Sequence, residues 1–420
     1  MKFACHTLGC KANSYDTSEL TAGFEHLGYE LTDDDAQADV ILINTCAVTN
    51  ESERKSRQLI RRSRSRSREA VIIVTGCFSE VSREEAEKMP EADIVTGTSD
   101  RDEIFKKLAD LTEPKSERSA YRGDIHPVRF EGRHRAFVKI QDGCSMFCSY
   151  CIIPYARNRM VSEESSSICA QIRSIAENGY KEAVLTGIHI ASYRDSGGTG
   201  LSELLSMIDR TGIERLRLGS LSPLILSEDF LSRLSGVSCF CPHFHISLQS
   251  GSSRILELMN RHYSAEMFFD TLKRVREHFP DSSVTTDIIT GFPGETEEDF
   301  ELTKQFVLKA GFAHVHIFPF SPKKGTPAAS MPGQVSSEEK KRRAEELALA
   351  AKKTALAERE KYVGRTVRIL AEKLSEKGLY EGFSRSYIKT AAACEEDITG
   401  RTADVFIDSA GDEYLIGRVI

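Results

Sequence analysis

Three cysteines within eight residues, Cys144-Ser-Met-Phe-Cys148-Ser-Tyr-Cys151, are the strongest chemical signal in this chain. Buried cysteines that serve only as packing rarely cluster this tightly. Three thiols at this spacing can converge on one soft metal centre. Zinc takes four ligands from paired Cys and His groups, and no fourth ligand stands nearby at zinc spacing. Three thiolates suit a 4Fe-4S cluster, whose fourth iron is then open to a small molecule. Cys10, Cys46 and Cys77 form a second, dispersed group. Each falls about two residues past the carboxyl end of an expected parallel strand, where open parallel sheets gather their ligand crevice. Gly9 and Gly76 precede two of them and allow close backbone approach. The other reading of these three is ordinary core packing at strand ends.

The elements that must position these thiols follow from period and length. Over residues 1–115 the expected strands are Lys2–Leu8, Asp39–Asn44 and Val71–Thr75. Between them lie helices at Ser14–Leu27, with Gly28 as its stop, and Glu51–Arg68. Apolar strands alternating with helices predict a small open parallel α/β sheet domain. Residues 112–133 read as a linker. From 130 to 362 the alternation resumes. Strands are expected at Ala136–Gln141, Glu182–Gly187, Arg215–Gly219, His243–Leu248, Val284–Thr290 and Ala313–Phe318. Helices are expected at Glu163–Asn178, Leu201–Asp209, Ser227–Leu234, Ala265–His278 and Glu297–Ala310. Six βα units predict a partial barrel, open on one side, followed by a long charged linker helix at Ser337–Tyr362. Residues 363–420 change to five short strands, the pattern of a small β-barrel.

Composition sets the frame. The chain has 420 residues, 40% apolar and 28% charged, with a net charge of −7. That excludes collagen-like, rod-like and wholly disordered chains. No stretch is apolar enough to span a membrane, and the start lacks the long apolar core of a signal peptide, so a cytoplasmic protein is expected. Eleven cysteines, an odd number, point to metal or catalysis more than to disulfides.

With these residues in view, the chain resembles a known family. Cys-x3-Cys-x2-Cys after the first strand of a βα barrel is similar to the radical S-adenosylmethionine (SAM) enzymes. The wider motif set resembles the methylthiotransferases within them. It comprises Thr7-Leu-Gly-Cys-Lys-Ala-Asn13, Asn44-Thr-Cys-Ala-Val-Thr49, Thr75-Gly-Cys77, His245-Ile-Ser-Leu-Gln-Ser-Gly251, Asp287-Ile-Ile-Thr-Gly-Phe-Pro-Gly-Glu-Thr296 and Gly325-Thr-Pro327. The tail resembles the TRAM module, an RNA-binding β-barrel. The wording around Cys10 and Cys46, with Arg54-Lys-Ser-Arg-Gln58, is most similar to the branch acting on threonylcarbamoyladenosine in tRNA. Ala12 stands where that branch would carry an apolar Val.

The resemblance implies a course of reaction. A cluster on Cys144, Cys148 and Cys151 binds SAM and splits it to methionine and a 5′-deoxyadenosyl radical. The radical takes hydrogen from adenine C2, and a second cluster on Cys10, Cys46 and Cys77 delivers (methyl)sulfur. The implied cofactors are two 4Fe-4S clusters and SAM. The implied partners are tRNA and an electron donor of flavodoxin or ferredoxin type, with no membrane and a monomeric enzyme. Related branches act on isopentenyladenosine or on an aspartate of a ribosomal protein. Expected SAM contacts lie at carboxyl ends of barrel strands: Thr186, Gly187, Arg217, Ser220 and Gln249, with Gly291 and Pro293 beyond them.

Eight Arg and Lys residues stand on the helix after Asn50 against Glu51, Glu53 and Glu69. Arg54, Lys55, Arg57 and Arg61 are read as contacts to tRNA phosphates. The tail holds 8 basic and 10 acidic residues from Val363 on, which argues against its gripping RNA alone. Cys5, Cys169, Cys239, Cys241 and Cys394 are read as packing residues, and His189, His243 and His245 as structural.

Overall fold

The computed structural model describes residues 1–112 and 134–420. All but the first residue of the expected linker lies outside the described residues. Those described group into two compact units, 1–112 with 141–161 and 321–329, and 134–140 with 162–320 and 330–420.

In the first unit, β1 (Lys2–Thr7), β2 (Glu30–Leu31), β3 (Val40–Thr45), β4 (Val71–Gly76) and β5 (Ile94–Val95) form one sheet. They pair in parallel in the order β2-β1-β3-β4-β5. β3 is buried along its whole length, as a strand covered on both faces must be. On one face Phe3, Val40, Leu42 and Ile73 pack against Leu20, Phe24, Ile104 and Leu108. On the other, Ile41, Ile43, Ile72 and Val74 pack against Ile60 and Phe78. The register sets Thr7 beside Asn44 and Thr45 beside Gly76. The carboxyl ends of β1, β3 and β4 therefore finish level, and Cys10, Cys46 and Cys77 follow those three ends. The strands β2 and β5 were not expected, since two residues are too few to show a period.

In the second unit the six expected barrel strands appear in order. They are β6 (Arg135–Asp142), then, after the short β7 (Val161–Ser162), β8 (Glu182–Gly187), β9 (Arg215–Leu218), β10 (His243–His245), β11 (Ser283–Thr290) and β12 (His314–Pro319). They lie in sheets β7-β6-β8-β9 and β10-β11-β12. Parallel bridges Leu216–Phe240 and Leu221–Ile246 continue the run between the two. Helices Ser165–Glu177, Leu201–Ile208, Glu228–Ser235, Ala265–His278 and Glu297–Ala310 cover one face. Their apolar stripes (Ile168, Ile172, Leu204, Leu231, Leu272, Val307) meet Val138, Val184, Leu216, Phe244 and Ile288 in one continuous core. Ser227, Ser264 and Thr296 cap three of these helices through their hydroxyl oxygens, which fixes where the chain turns in from each strand.

The tail closes into a barrel of β13 (Thr366–Leu374), β14 (Tyr380–Ser384), β15 (Lys389–Ala393), β16 (Thr402–Ala410) and β17 (Leu415–Val419), in the order β13-β14-β15-β17-β16. Closure removes the sheet edges that so small a domain would otherwise expose. Its core is Ile369, Ala371, Ile388, Val405, Ile407 and Leu415. Among the described residues no helix is long and apolar enough to cross a membrane.

Candidate functional site

The first unit gathers the dispersed cysteines. Cys10 is the N-cap of the helix Lys11–His26, whose first turn begins three residues earlier than the sequence suggested. That end presents free backbone N–H groups and the positive end of the helix dipole. Gly9 has φ +112°, and a Cβ there would meet Cys46 Sγ at 3.2 Å and Asn13 Nδ2 at 3.0 Å. Gly76 has φ +101°, and a Cβ there would meet the Thr45 carbonyl oxygen at 2.5 Å. Conformation and space both demand glycine beside Cys10 and Cys77. Asn13 stitches the strand ends together, donating to the carbonyls of Leu8 (2.8 Å) and Thr45 (2.9 Å). Ser56, on the buried face of the basic helix, accepts from the Cys46 backbone N–H at 3.3 Å.

Cys77 is buried, and that burial pushes its thiol up to about 12 against the pull of the Arg157 guanidinium, with Cys10 and Cys46 adding to the rise. The three thiols thus share one electrostatic neighbourhood. A thiol so reluctant to ionise becomes a thiolate on binding a metal, since metal ligation displaces the proton. Arg157 is 3% exposed. It donates from Nη2 to Asn13 Oδ1 (2.8 Å) and Asp16 Oδ2 (2.6 Å), and from Nη1 to Asp142 Oδ1 and Oδ2 (2.9 and 2.7 Å). Its buried Nε–H has no acceptor among the described residues. Such a donor fits an added sulfur acceptor.

The other trio lies on the loop after β6. Gly143, at φ +81°, approaches the Arg159 carbonyl so closely that a Cβ would sit 2.1 Å from it. The Met146 N–H points at Cys144 Sγ at 3.5 Å, and the Cys151 N–H donates to the Cys148 carbonyl at 2.9 Å. The Ala328 N–H donates to the Ser149 carbonyl at 2.8 Å, so the Gly325-Thr-Pro327 segment braces this loop. Among the described residues, the donor atoms gathered for a single ion are those of His245, Asp287 and His316, within 4.8 Å of one another. Neither cysteine trio is drawn together that way, and three corners of a cluster require a wider spread than one zinc does.

The expected SAM contacts divide. Thr186 and Gly187 close β8, exposed Ser220 follows β9, and Gln249, at φ +73°, follows β10. All four stand at carboxyl ends. Arg217 does not fit that role. Its guanidinium reaches back to Glu182, the first residue of β8, and donates to the Ser384 and Arg385 carbonyls of the tail barrel. It works at the amino end of the sheet, away from where a barrel holds its ligand. Gly291 is packed against Lys340, whose Cγ would lie 2.3 Å from an added Cβ. His245 is held by Thr285 (2.9 Å) and Asp287 (3.0 Å).

The expected RNA contacts are already engaged by carboxylates. Arg54 forks onto Glu51, Lys55 stands 3.8 Å from the same carboxylate, Arg57 pairs with Glu53 and Glu85, and Arg61 lies 3.9 Å from Glu91. Exposed Arg62, Arg66 and Arg68 have no carboxylate at ion-pair distance among the described residues, Arg66 acting on Asp34 only from farther off. Sequence reasoning also missed Arg157 and Ser56, because their partners come from segments distant in sequence. Cys5 lies against Thr21, while Cys169, Cys239 and Cys241 are buried.

Comparison with known proteins decides the family. The model described as "Uncharacterized protein family UPF0004" matches residues 2–97, and the Radical SAM superfamily model matches residues 138–307. The Bacillus subtilis (strain 168) protein "Threonylcarbamoyladenosine tRNA methylthiotransferase MtaB" is 36% identical across 99% of this chain and 96% of its own length. The chain belongs to the radical SAM methylthiotransferases. The Aquifex aeolicus protein of the same name is 38% identical, covering 82% of this chain and 86% of its own. A "tRNA-2-methylthio-N(6)-dimethylallyladenosine synthase" from Syntrophus aciditrophicus is 34% identical over 99% and 90%. Among solved structures, the radical SAM methyltransferase TsrM from Kitasatospora setae shares the fold at TM-score 0.56 and 16% identity, covering 78% of this chain and 75% of that one. Radical SAM methylthiotransferases use SAM and carry two 4Fe-4S clusters. The two cysteine trios fit that pair in number and donor type.

Proposed function

We propose that this radical SAM methylthiotransferase converts N6-threonylcarbamoyladenosine, next to the anticodon of tRNA, to its 2-methylthio derivative. The observation that carries the reading is the convergence of Cys10, Cys46 and Cys77 at three level strand ends, in a chain that holds a second cysteine trio on the loop after β6. Cys144, Cys148 and Cys151 hold the cluster that binds SAM, and Cys10, Cys46 and Cys77 hold the cluster that delivers sulfur. The bound groups supply one-electron activation of an adenine C–H bond and the sulfur itself, chemistry that no side-chain acid or base can perform.

The chain's own residues bind and orient. The Met146 N–H donates toward the Cys144 sulfur, and Cys10 stands at a helix N-terminus. Gly9 and Gly76 keep the crevice open at the backbone. Thr186, Gly187, Ser220 and Gln249 take up SAM. Arg62, Arg66 and Arg68, which have no carboxylate at ion-pair distance among the described residues, meet tRNA phosphates. Three functional segments follow: 1–115 for the sulfur-delivering cluster, 130–362 for the radical SAM barrel, and 363–420 for the TRAM-like barrel. A flavodoxin- or ferredoxin-type protein supplies electrons to a cytoplasmic, monomeric enzyme.

The relatives named for the threonylcarbamoyl substrate reach 36–38% identity, against 32–35% for those named for the dimethylallyl one. The test is direct. Anaerobically reconstituted protein is incubated with SAM, a reductant and tRNA carrying both unmethylthiolated nucleosides, and the digest is read by mass spectrometry. Methylthio-threonylcarbamoyladenosine should appear, and should be absent with Cys77→Ala. Conversion of isopentenyladenosine alone would move the chain to the neighbouring branch.

A further inference from the structure

We infer that Arg157 is a positioning residue for the sulfur-delivering cluster, a buried cation that holds that cluster's thiolate side and raises its reduction potential while tying it to the loop bearing the other cluster. This rests on the reading that Cys10, Cys46 and Cys77 hold the second cluster.

Arg157 stands six residues beyond Cys151 in sequence but spends its hydrogen bonds elsewhere. Nη2 binds Asn13 and Asp16, three and six residues after Cys10, and Nη1 binds Asp142, two before Cys144. Asn13, which Arg157 holds, lies 3.9 Å from the Cys77 Sγ, and the guanidinium charge pulls on that thiol. One planar fork therefore fixes two cysteine-bearing segments in register, a task suited to arginine's rigid donors and not to the point charge of lysine. Its charge is expensive to bury and is retained by carboxylates on both sides, Asp16 and Asp142, with Arg101 sharing Asp16 at 2.7 Å. Both terminal nitrogens are engaged by these partners, while the Nε–H has no protein acceptor among the described residues. A sulfur atom of the bound cluster, or the Cys77 thiolate, completes the set.

The electrostatic consequence has a definite sign. Adding an electron makes a cluster more negative, and a buried cation beside it favours that state. Removing Arg157 takes away one positive charge beside the cluster, while Asp16 keeps Arg101 and both carboxylates keep their negative charge, so reduction becomes harder. Removing the charge of Asp16 does the opposite. A purely structural brace would give no such opposed pair.

The test uses the full chain with Cys144, Cys148 and Cys151 replaced by Ala, so that only the second cluster titrates, and reads its midpoint by EPR-monitored redox titration. Wild-type protein in parallel must show two clusters by iron and sulfide content. Relative to this background, Arg157→Gln should cut the reduced-to-oxidised ratio at a fixed potential about tenfold, equivalent to about 59 mV for one electron. Asp16→Asn should raise the ratio. Arg157→Lys should restore most of the potential but lower cluster occupancy, having the charge without the fork. Should Arg157→Gln lose the cluster altogether, the Lys and Asn variants still carry the sign. An unmoved midpoint, or Gln and Asn variants shifting in the same direction, overturns the inference. A wild-type chain holding one cluster overturns the underlying assignment, and the inference with it.

Discussion

Glu182 stands between two guanidiniums, with Arg215 Nε at 2.7 Å and Arg217 Nε at 2.9 Å, and all three side chains are almost wholly buried. Burial alone would raise its pKa, but Arg217 and Arg215 outweigh it and hold the carboxyl at about 2. Arg217 also stacks on the Tyr387 ring at 4.6 Å, and Arg215 donates to the Phe383 and Ser384 carbonyls. This triad is the polar latch between the α/β barrel and the tail barrel. Glu182→Ala strands two buried cations, so a loss of about 3–5 kcal/mol is expected in urea unfolding. The contribution of Glu182 is complete above the ordinary carboxylate pKa of ~4.3 and is lost as pH falls through about 2, because its folded pKa is depressed. The gap between wild type and Glu182→Gln should therefore narrow over that window. The sequence placed Arg217 near the carboxyl end of a barrel strand. It could not show that the long side chain turns toward the amino end, because the acceptors lie in a domain more than 160 residues away.

At the scale of elements, the helix Asn50–Arg66 has two jobs on two faces. Ser56, Ile60 and Ser63 face inward, where Ser56 anchors the Cys46 backbone. The outer face is basic. Its charge and the pairs within the helix, to Glu51 and Glu53, lie at readable i,i+3 and i,i+4 spacings; the pairs to Glu85, Glu91 and Asp93 were not legible, because those carboxylates arrive from other elements. The RNA contact surface therefore moves from Arg54 and Arg57 toward Arg62, Arg66 and Arg68. Replacing these three with Ala should weaken tRNA binding and flatten the dependence of log K on log salt by about 1 for each phosphate no longer neutralised. Arg54→Ala should change either quantity much less. Filter binding across a salt series measures both. Equal effects from the two sets would return the interface to the N-terminal half of the helix. The tail's five short strands were legible as a change of pattern; β13 and β16 carry register shifts at Ala371/Lys373 and Ile407/Ser409, where a bulge breaks the alternation.

At the scale of the whole molecule, the order of parts was legible because each has its own period: apolar strands with helices, then six βα units, then five short strands. The six thiols were legible by spacing in one trio and by position after strand ends in the other. The grouping of residues into compact units was not, since the loop bearing Cys144, Cys148 and Cys151 packs with the N-terminal sheet through contacts such as those of Ile152 and Ala156 with Phe78 and Val74. That arrangement brings both trios into one unit and gives Arg157 access to both. The measurement that bears most directly on the account is the iron and sulfide content of anaerobically reconstituted protein. Wild type should hold about eight of each per chain, and Cys10→Ala and Cys148→Ala about four each, from two independent 4Fe-4S sites. About four in the wild type, or a Cys10→Ala chain that retains the full complement, would contradict it.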